Sequence, residues 1–270
     1  MIRKASVDAK AFSTALDQVS KVLRKSSIPV LSEVLVAISG GQCTLTATDI
    51  ETWLFQKIPA RGDDLSFVFR KTKDVAKACR LFDGELELEF SDTGEGKYRS
   101  LTLCMRCGGR AVEFEAMAAE DYPVCAPIKA KASFTVNAAA LLKRVELVGY
   151  AAGKPASTER ATCGNVQFSG KYVFALDGTR LACDTDESLI APRPFMTYAE
   201  SLSHLRMFGD QEVTVELGER QGVITNGTAS IIFRINGVDV YPVDGAVPHS
   251  CQEEFYVQTR DFLRELKYLK

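Results

Sequence analysis

Residues 7–19 read Val7-Asp8-Ala9-Lys10-Ala11-Phe12-Ser13-Thr14-Ala15-Leu16-Asp17-Gln18-Val19, and their pattern returns twice further along the chain. An apolar residue and a polar one, Val7-Asp8, lead to apolar anchors at Phe12, Leu16 and Val19. The second copy is Val136-Asn137 with Leu141, Val145 and Val148; the third is Val257-Gln258 with Phe262, Leu266 and Leu269. In each copy the anchors stand five, nine and twelve positions after the first apolar residue. Steps of four and three put the last three anchors on one face of an amphipathic helix. A strand end therefore feeds a helix at three equivalent places. A fixed repeat decides architecture before single elements do. The chain reads as two complete modules, 1–127 and 128–250, and the strand and first helix of a third, 251–270.

Between these anchors the first module predicts a strand over Leu31–Ile38 and a hairpin through Gly40-Gly41 into Cys43–Thr48. A second helix follows Phe69, with Val75, Cys79 and Phe82 on its apolar face and a stop at Asp83-Gly84. Glu85–Phe90 alternates strictly, as a strand with one wet face does, and strands follow at Leu101–Met105 and Ala111–Glu115. The second module repeats this order. It has a hairpin at Ser169-Gly170, a helix near Ala199–Phe208, an alternating strand Glu212–Leu217 and a hairpin turn at Asn226-Gly227. Tyr122-Pro123 closes the first module as Tyr241-Pro242 closes the second, and Ala126–Lys131 links them. Two helices and about eight strands per module make an α+β fold with helices layered on antiparallel sheet. Edge strands of neighbouring modules could pair and close a ring.

The charge of −2 on 270 residues gives no bulk attraction to nucleic acid or membrane. No apolar run reaches membrane-spanning length, and the N-terminus has no signal core. Eight scattered cysteines without a signal peptide read as reduced cytoplasmic thiols. Catalysis finds little support. His204 and His249, the only histidines, have no partner at metal-ligand spacing and read as packing or surface residues. No phosphate loop or nucleophile elbow is present. Cys104-Met105-Arg106-Cys107 is half of a zinc or redox motif without a second pair, so ordinary strand cysteines are expected. The pairs Asp49/Glu51 and Asp184/Asp186 read as solvated loop charges. No metal and no cofactor is expected.

The cations are better organised. Lys73, Lys77 and Arg80 share a helix face opposite Val75, Cys79 and Phe82, and Arg260, Arg264 and Lys267 repeat this on the third-module helix. Arg24 and Lys25 end the first helix, with Lys10 and Lys21 on its side. Lys143 and Arg144 occupy the equivalent helix of the second module, with Lys154 beyond it. Most such stripes are merely solvated. Cations on equivalent helices of every module, however, would face one centre if the modules formed a ring, where they could meet duplex phosphates without reading bases.

Several stretches resemble the bacterial DNA polymerase III beta subunit, the sliding clamp. They are Gln18–Lys21 with Ile28–Leu35, Leu45–Glu51 (the family's Leu-Thr-x-Thr-Asp-x-Glu), Ala119–Pro123, and Ala175–Ala182 (similar to Ala-Thr-Asp-Gly-His-Arg-Leu-Ala). The likeness spans nearly the whole chain in order. It implies a DNA-clamp fold in a head-to-tail homodimer of three-module subunits that encircles double-stranded DNA. Such a ring tethers the replicative polymerase and is itself non-catalytic. The alternative is a clamp-like scaffold that binds proteins without encircling DNA. About 100 residues would complete the third module, by typical domain size.

The resemblance also implies site residues. DNA contact would fall to Arg24, Lys25, Lys73, Lys77, Arg80, Lys143 and Lys154, with Arg24, Lys25 and Lys73 the firmest matches. A pocket for the apolar motif of the polymerase, clamp loader and other partners would be walled by Cys163, Leu176, Gly178, Thr179, Arg180, Leu181, Pro242 and Val247. Leu176 stands where the family motif has Thr, Thr179 where it has His, and Cys163 replaces a larger apolar residue, which implies a reshaped pocket. Thr197-Tyr198-Ala199-Glu200 stands where the family has a basic pair.

Overall fold

The structure is a computed structural model and describes residues 1–94, 96–153, 162–187, 189–237, 239–246, 250, 253 and 255–269. They form two compact units, Met1–Val240 and Tyr241–Lys270. The first unit contains the strands and helices of the first two copies of the repeat, while the expected end of the second module, 241–250, falls in the second unit. Its first copy runs β1 (Ile2–Asp8), α1 (Ala9–Val19), β2 (Leu35–Ser39), β3 (Gln42–Thr48), β4 (Thr52–Gly62), β5 (Leu65–Phe69), α2 (Thr72–Cys79), β6 (Glu85–Thr93), β7 (Ser100–Cys107) and β8 (Arg110–Met117). The second runs β9 (Ala132–Asn137), α3 (Ala138–Gly149), β10 (Val166–Gly170), β11 (Tyr172–Leu176), β12 (Leu181–Thr185), β13 (Ala191–Thr197), α4 (Ala199–Ser203), β14 (Glu212–Leu217), β15 (Gln221–Thr225) and β16 (Ala229–Arg234).

The repeated dipeptide acts as a helix start. Asp8 Oδ1 accepts the Ala11 N–H at 2.8 Å, and Asn137 Oδ1 accepts the Ala140 N–H at 2.9 Å. Each satisfies one of the orphan donors of its helix, a bond worth about 1 kcal/mol. The stripes behind the caps are buried: Phe12, Leu16 and Val19 at 0% exposure, Leu141, Val145 and Val148 at 1–3%. In the second unit the third copy becomes α5 (Thr259–Tyr268), with Gln258 at the N-cap position making no side-chain bond. No strand precedes α5 among the described residues, contrary to the repeat.

Strand for strand, β1-β6-β7-β8 matches β9-β14-β15-β16, and β5-β2-β3-β4 matches β13-β10-β11-β12. In the first module the two halves also join at both ends. Val68 and Phe69 pair with Met117 and Ala116, while Ala5–Val7 pair with Ala60–Gly62. Gly62 is required there: at φ +108° a Cβ would stand 2.4 Å from the Lys4 carbonyl oxygen. The modules join through β4, whose other edge is shared in two parts. Its first half, Thr52–Gln56, pairs with Phe233–Ala229 of β16, and its end pairs with β1. This division explains a strand of 11 residues. The counterparts of this junction stay unused: β12 pairs with β11 alone, and Arg110–Glu115 of β8 with β7 alone, among the described residues.

Some elements differ from the sequence reading. Pro29 starts a 3-10 turn, Pro29–Ser32, so the strand expected over Leu31–Ile38 begins only at Leu35. The second helix stops at Cys79, and Leu81 and Phe82 close tighter turns onto Ala78 and Cys79 before Gly84. The helix expected over Ala199–Phe208 is α4 followed by a 3-10 stretch, His204–Phe208. The β15–β16 turn is centred on Gly227-Thr228, because Asn226 itself bonds Ala229 across it (3.3 Å). Cys104 and Cys107, three apart on β7, face opposite sides of the sheet, and Cys107 is buried. Burial pushes the Cys43 and Cys79 thiols up to about 12, so both are protonated at neutral pH.

Candidate nucleic-acid interface

Five of the expected DNA-contact residues border one groove of about 780 Å³ between α1 and α2: Arg24, Lys25, Lys73, Lys77 and Arg80. Lys71 joins them, and the opposing carboxylates are Asp17, Glu33 and Asp74. The local balance is thus basic on a chain whose net charge is −2. The start of α2 is held by the Glu33 carboxylate, which accepts the Thr72 N–H at 2.6 Å, while Thr72 Oγ1 accepts the Val34 N–H at 3.1 Å. Lys73, Lys77 and Arg80, at steps of four and three, project from the exposed face. Lys77 pairs with Asp74 (3.2 Å) and Arg80 with Asp17 (3.1 Å), both in solvent, where such pairs hold weakly. Lys25, Lys71 and Lys73 make no ion pair among the described residues. Lys71 was missed from sequence because it occupies the N-cap position, ahead of the helical periodicity.

Arg24 and Lys25 do not cap α1 as expected; a 3-10 turn, Ser20–Val22, separates them from it. Arg24 instead pairs with Asp49 of its own module (3.2 Å) and, across the module junction, with Glu200. Asp49 and Glu51 are therefore not solvated loop charges: Glu51 pairs with Arg234 of the other module at 2.9 Å. Thr52 and Ser201 share a buried hydroxyl–hydroxyl bond of 2.6 Å at the same place, and Gln18 bonds the Met207 carbonyl (3.4 Å). His204 is half-buried here and lines a cavity with Arg24, Asp49 and Glu200. Burial pulls its imidazole below the usual value against the pull of Asp49 and Glu200, while Lys21 and Arg24 add to the lowering.

On α3, Lys143 is exposed, but Arg144 is buried and unavailable to phosphate. Its Nε binds Asp184 Oδ2 at 2.7 Å and its Nη2 the carbonyls of Lys171 (2.8 Å) and Asp184 (3.2 Å). Asp184 is thus a structural ion-pair partner and not a solvated charge. Lys154 lies outside the described residues.

The turn between β11 and β12 gathers Leu176, Gly178, Thr179, Arg180 and Leu181, with Leu176 and Leu181 paired across its base. Asp177 organises it. Its Oδ1 accepts from the Thr179 N–H (3.0 Å) and hydroxyl (2.8 Å) and from the Arg180 N–H (3.1 Å). Thr179 first, then Arg180, holds this carboxyl down to about 2. Arg180 pairs with Asp177 at 2.8 Å and lies over the Tyr150 ring, 5.9 Å from its centroid. Cys163 is buried ahead of β10, Pro242 belongs to the second unit, and Val247 and His249 lie outside the described residues.

The β3–β4 turn repeats this geometry. Asp49 Oδ1 accepts the Thr52 N–H at 2.8 Å, and Asp49 and Asp177 each donate a backbone bond of 3.3 Å to the residue three on. Ile50 has φ 78° where Gly178 has 93°. An exposed β-branched residue in this region carries strain of about 1–2 kcal/mol. Ile50→Gly is expected to stabilise the chain by about 0.5–1 kcal/mol, net of the glycine's added chain entropy. Urea unfolding checks it, and a lower midpoint would contradict the strain.

Residues 4–126 match the family model of the DNA polymerase III beta subunit, N-terminal domain. This span is similar to the N-terminal domain of bacterial beta clamps. The Beta sliding clamp of Pseudomonas aeruginosa is 22% identical over 259 residues, covering 90% of this chain. The chain spans about 65% of the length of that curated relative. Crystal structures of clamps have the same fold. The DNA polymerase III subunit beta from Pseudomonas aeruginosa superposes with TM-score 0.78 at 18% identity, covering 92% of this chain and 68% of that one. The sliding clamp from Bacillus subtilis gives 0.81 at 16% identity, over 99% and 73%. The first unit accordingly has the fold of these clamps, α+β with helices on antiparallel sheets. Among the described residues no helix is long and apolar enough to cross a membrane.

Proposed function

We propose that this chain is part of a DNA sliding clamp, a processivity factor that encircles duplex DNA and tethers the replicative polymerase. The observation that carries this reading is the module junction. β4 and β16 pair across it, and among the described residues their counterparts, β12 and the Arg110–Glu115 part of β8, each retain an unused edge. A heterologous contact that leaves its two halves at opposite ends repeats head to tail and closes when the rotation allows. A further clamp module or a second copy of the subunit meets those edges. The basic groove then takes duplex phosphates through Lys25, Lys71, Lys73, Lys77 and Arg80, with Lys143 on the second module. Weak phosphate contacts without base readout suit a ring that must slide.

The subunit acts in the cytoplasm, without catalysis of its own. The turn Leu176–Leu181, fixed by Asp177, offers a wall for the apolar anchors of the polymerase and the clamp loader. The test is retention of the loaded assembly on nicked circular duplex, before and after linearisation. Topological linkage predicts release at least tenfold faster from the linear form. Equal release from both would favour a scaffold that does not encircle DNA.

A further inference from the structure

We propose that Arg24 is a positioning residue that clasps the two modules, and that the grip on phosphate in this groove passes to Lys25, Lys71 and Lys73. The inference rests on the reading that the groove binds DNA, and it concerns which cations do so. One guanidinium fork serves two carboxylates from different modules: Nε meets Asp49 Oδ2 at 3.2 Å, and Nη2 meets Glu200 Oε1. Asp49 sits in the β3–β4 turn and Glu200 in the first turn of α4. Glu51 lines the same junction cavity. A phosphate brought to Arg24 would therefore enter beside two carboxylates that outnumber the cation they share, and the repulsion offsets the attraction. Lys25, Lys71 and Lys73 are exposed on the same groove and carry no such acids.

The clasp lies where geometry matters. Within the same junction are the buried Thr52–Ser201 bond, the Glu51–Arg234 pair and the β4–β16 ladder. Arg24 is itself half-exposed, so its pairs add little to global stability. Their effect is to fix α4 against the β3–β4 turn, which sets the angle between the helices of the two modules. A planar fork is needed to bridge two carboxylates, and a lysine offers only a point charge.

The test uses the chain with a fluorescent duplex of random sequence, titrated across salt concentrations. Amide exchange is followed in parallel over Thr52–Gln56 and Ala229–Phe233. Arg24→Ala and Glu200→Gln should both speed exchange there severalfold. Both should leave the slope of log affinity against log salt unchanged, whereas Lys73→Ala should lower it by about 0.9. Arg24→Ala is the decisive variant, because it removes the cation itself. If Arg24 gripped phosphate, its loss would lower the slope by about 0.9; as a clasp, its loss leaves the slope unchanged while exchange at the junction speeds. A fall of about 0.9 in the slope for Arg24→Ala, or unchanged exchange in both variants, overturns the proposal. Failure of the DNA reading looks different. There the unchanged chain shows no salt-dependent binding and Lys73→Ala has no effect, while the exchange data still report on the clasp.

Discussion

Asp184→Ala is expected to destabilise the chain by about 3 kcal/mol. Arg144 is 5% exposed, and Asp184 supplies its only carboxylate among the described residues, at 2.7 Å. Removing the acid leaves a buried guanidinium held by two carbonyl oxygens, with its desolvation no longer offset. Asp184 is partly exposed, so water enters and keeps the loss from reaching the upper end for a buried pair. The converse variant should behave differently. Arg144→Met removes the charge that needs a partner and fills the space with an apolar chain, so a change within about 1 kcal/mol is expected. Urea unfolding of the two variants side by side checks both. A loss under 1 kcal/mol for Asp184→Ala would mean that the carbonyls alone carry Arg144. The consequence extends to function, since the pair ties α3 to β12, the edge on which the ring reading depends.

The buried arginine also shows how far the sequence could be read. Arg144 was grouped with Lys143 as an exposed cation, yet it stands three after Leu141 and four before Val148, inside the apolar stripe of its helix. Periodicity alone placed it on the buried face. The repeat was legible because its signals are local: a cap, a stripe and an alternating strand each lie within one element. The clasp was not, because Arg24 and Glu200, or Glu51 and Arg234, meet only after β4 and β16 have paired. Nothing in the spacing of those residues announces their contact. The same holds for Glu33, which caps a helix 39 positions further on. The turn at Pro29 was legible in kind but not in extent, since a proline that starts a 3-10 turn also delays the strand behind it.

Glu200 shows what a departure from a family motif can mean. The acid stands where a basic pair was expected, and in the fold it meets a cation of the neighbouring module. Other cations of the second module are likewise paired among the described residues. Lys143 is exposed, whereas Arg206 is paired with Glu146 and Arg180 with Asp177. The electrostatic weight of the proposed interface rests on the first module.

The double variant Lys71→Glu/Lys73→Glu should therefore weaken duplex binding more than any other pair of exposed substitutions. Each lysine that neutralises one phosphate contributes about 0.9 to the salt slope, so the pair should lower it by about 1.8. Charge reversal adds repulsion to the lost attraction, and at 50 mM salt the loss should be on the order of 100-fold. Folding should be nearly untouched, within about 0.5 kcal/mol, because both side chains are exposed and neither pairs with an acid among the described residues. Lys129→Glu/Lys131→Glu, in the linker between modules, carries the same charge change away from the groove and should leave the slope as it was. Fluorescence anisotropy with a short duplex measures all three proteins. If the linker pair and the groove pair lowered the slope equally, binding would follow overall charge, and α2 would lose its claim to face the DNA.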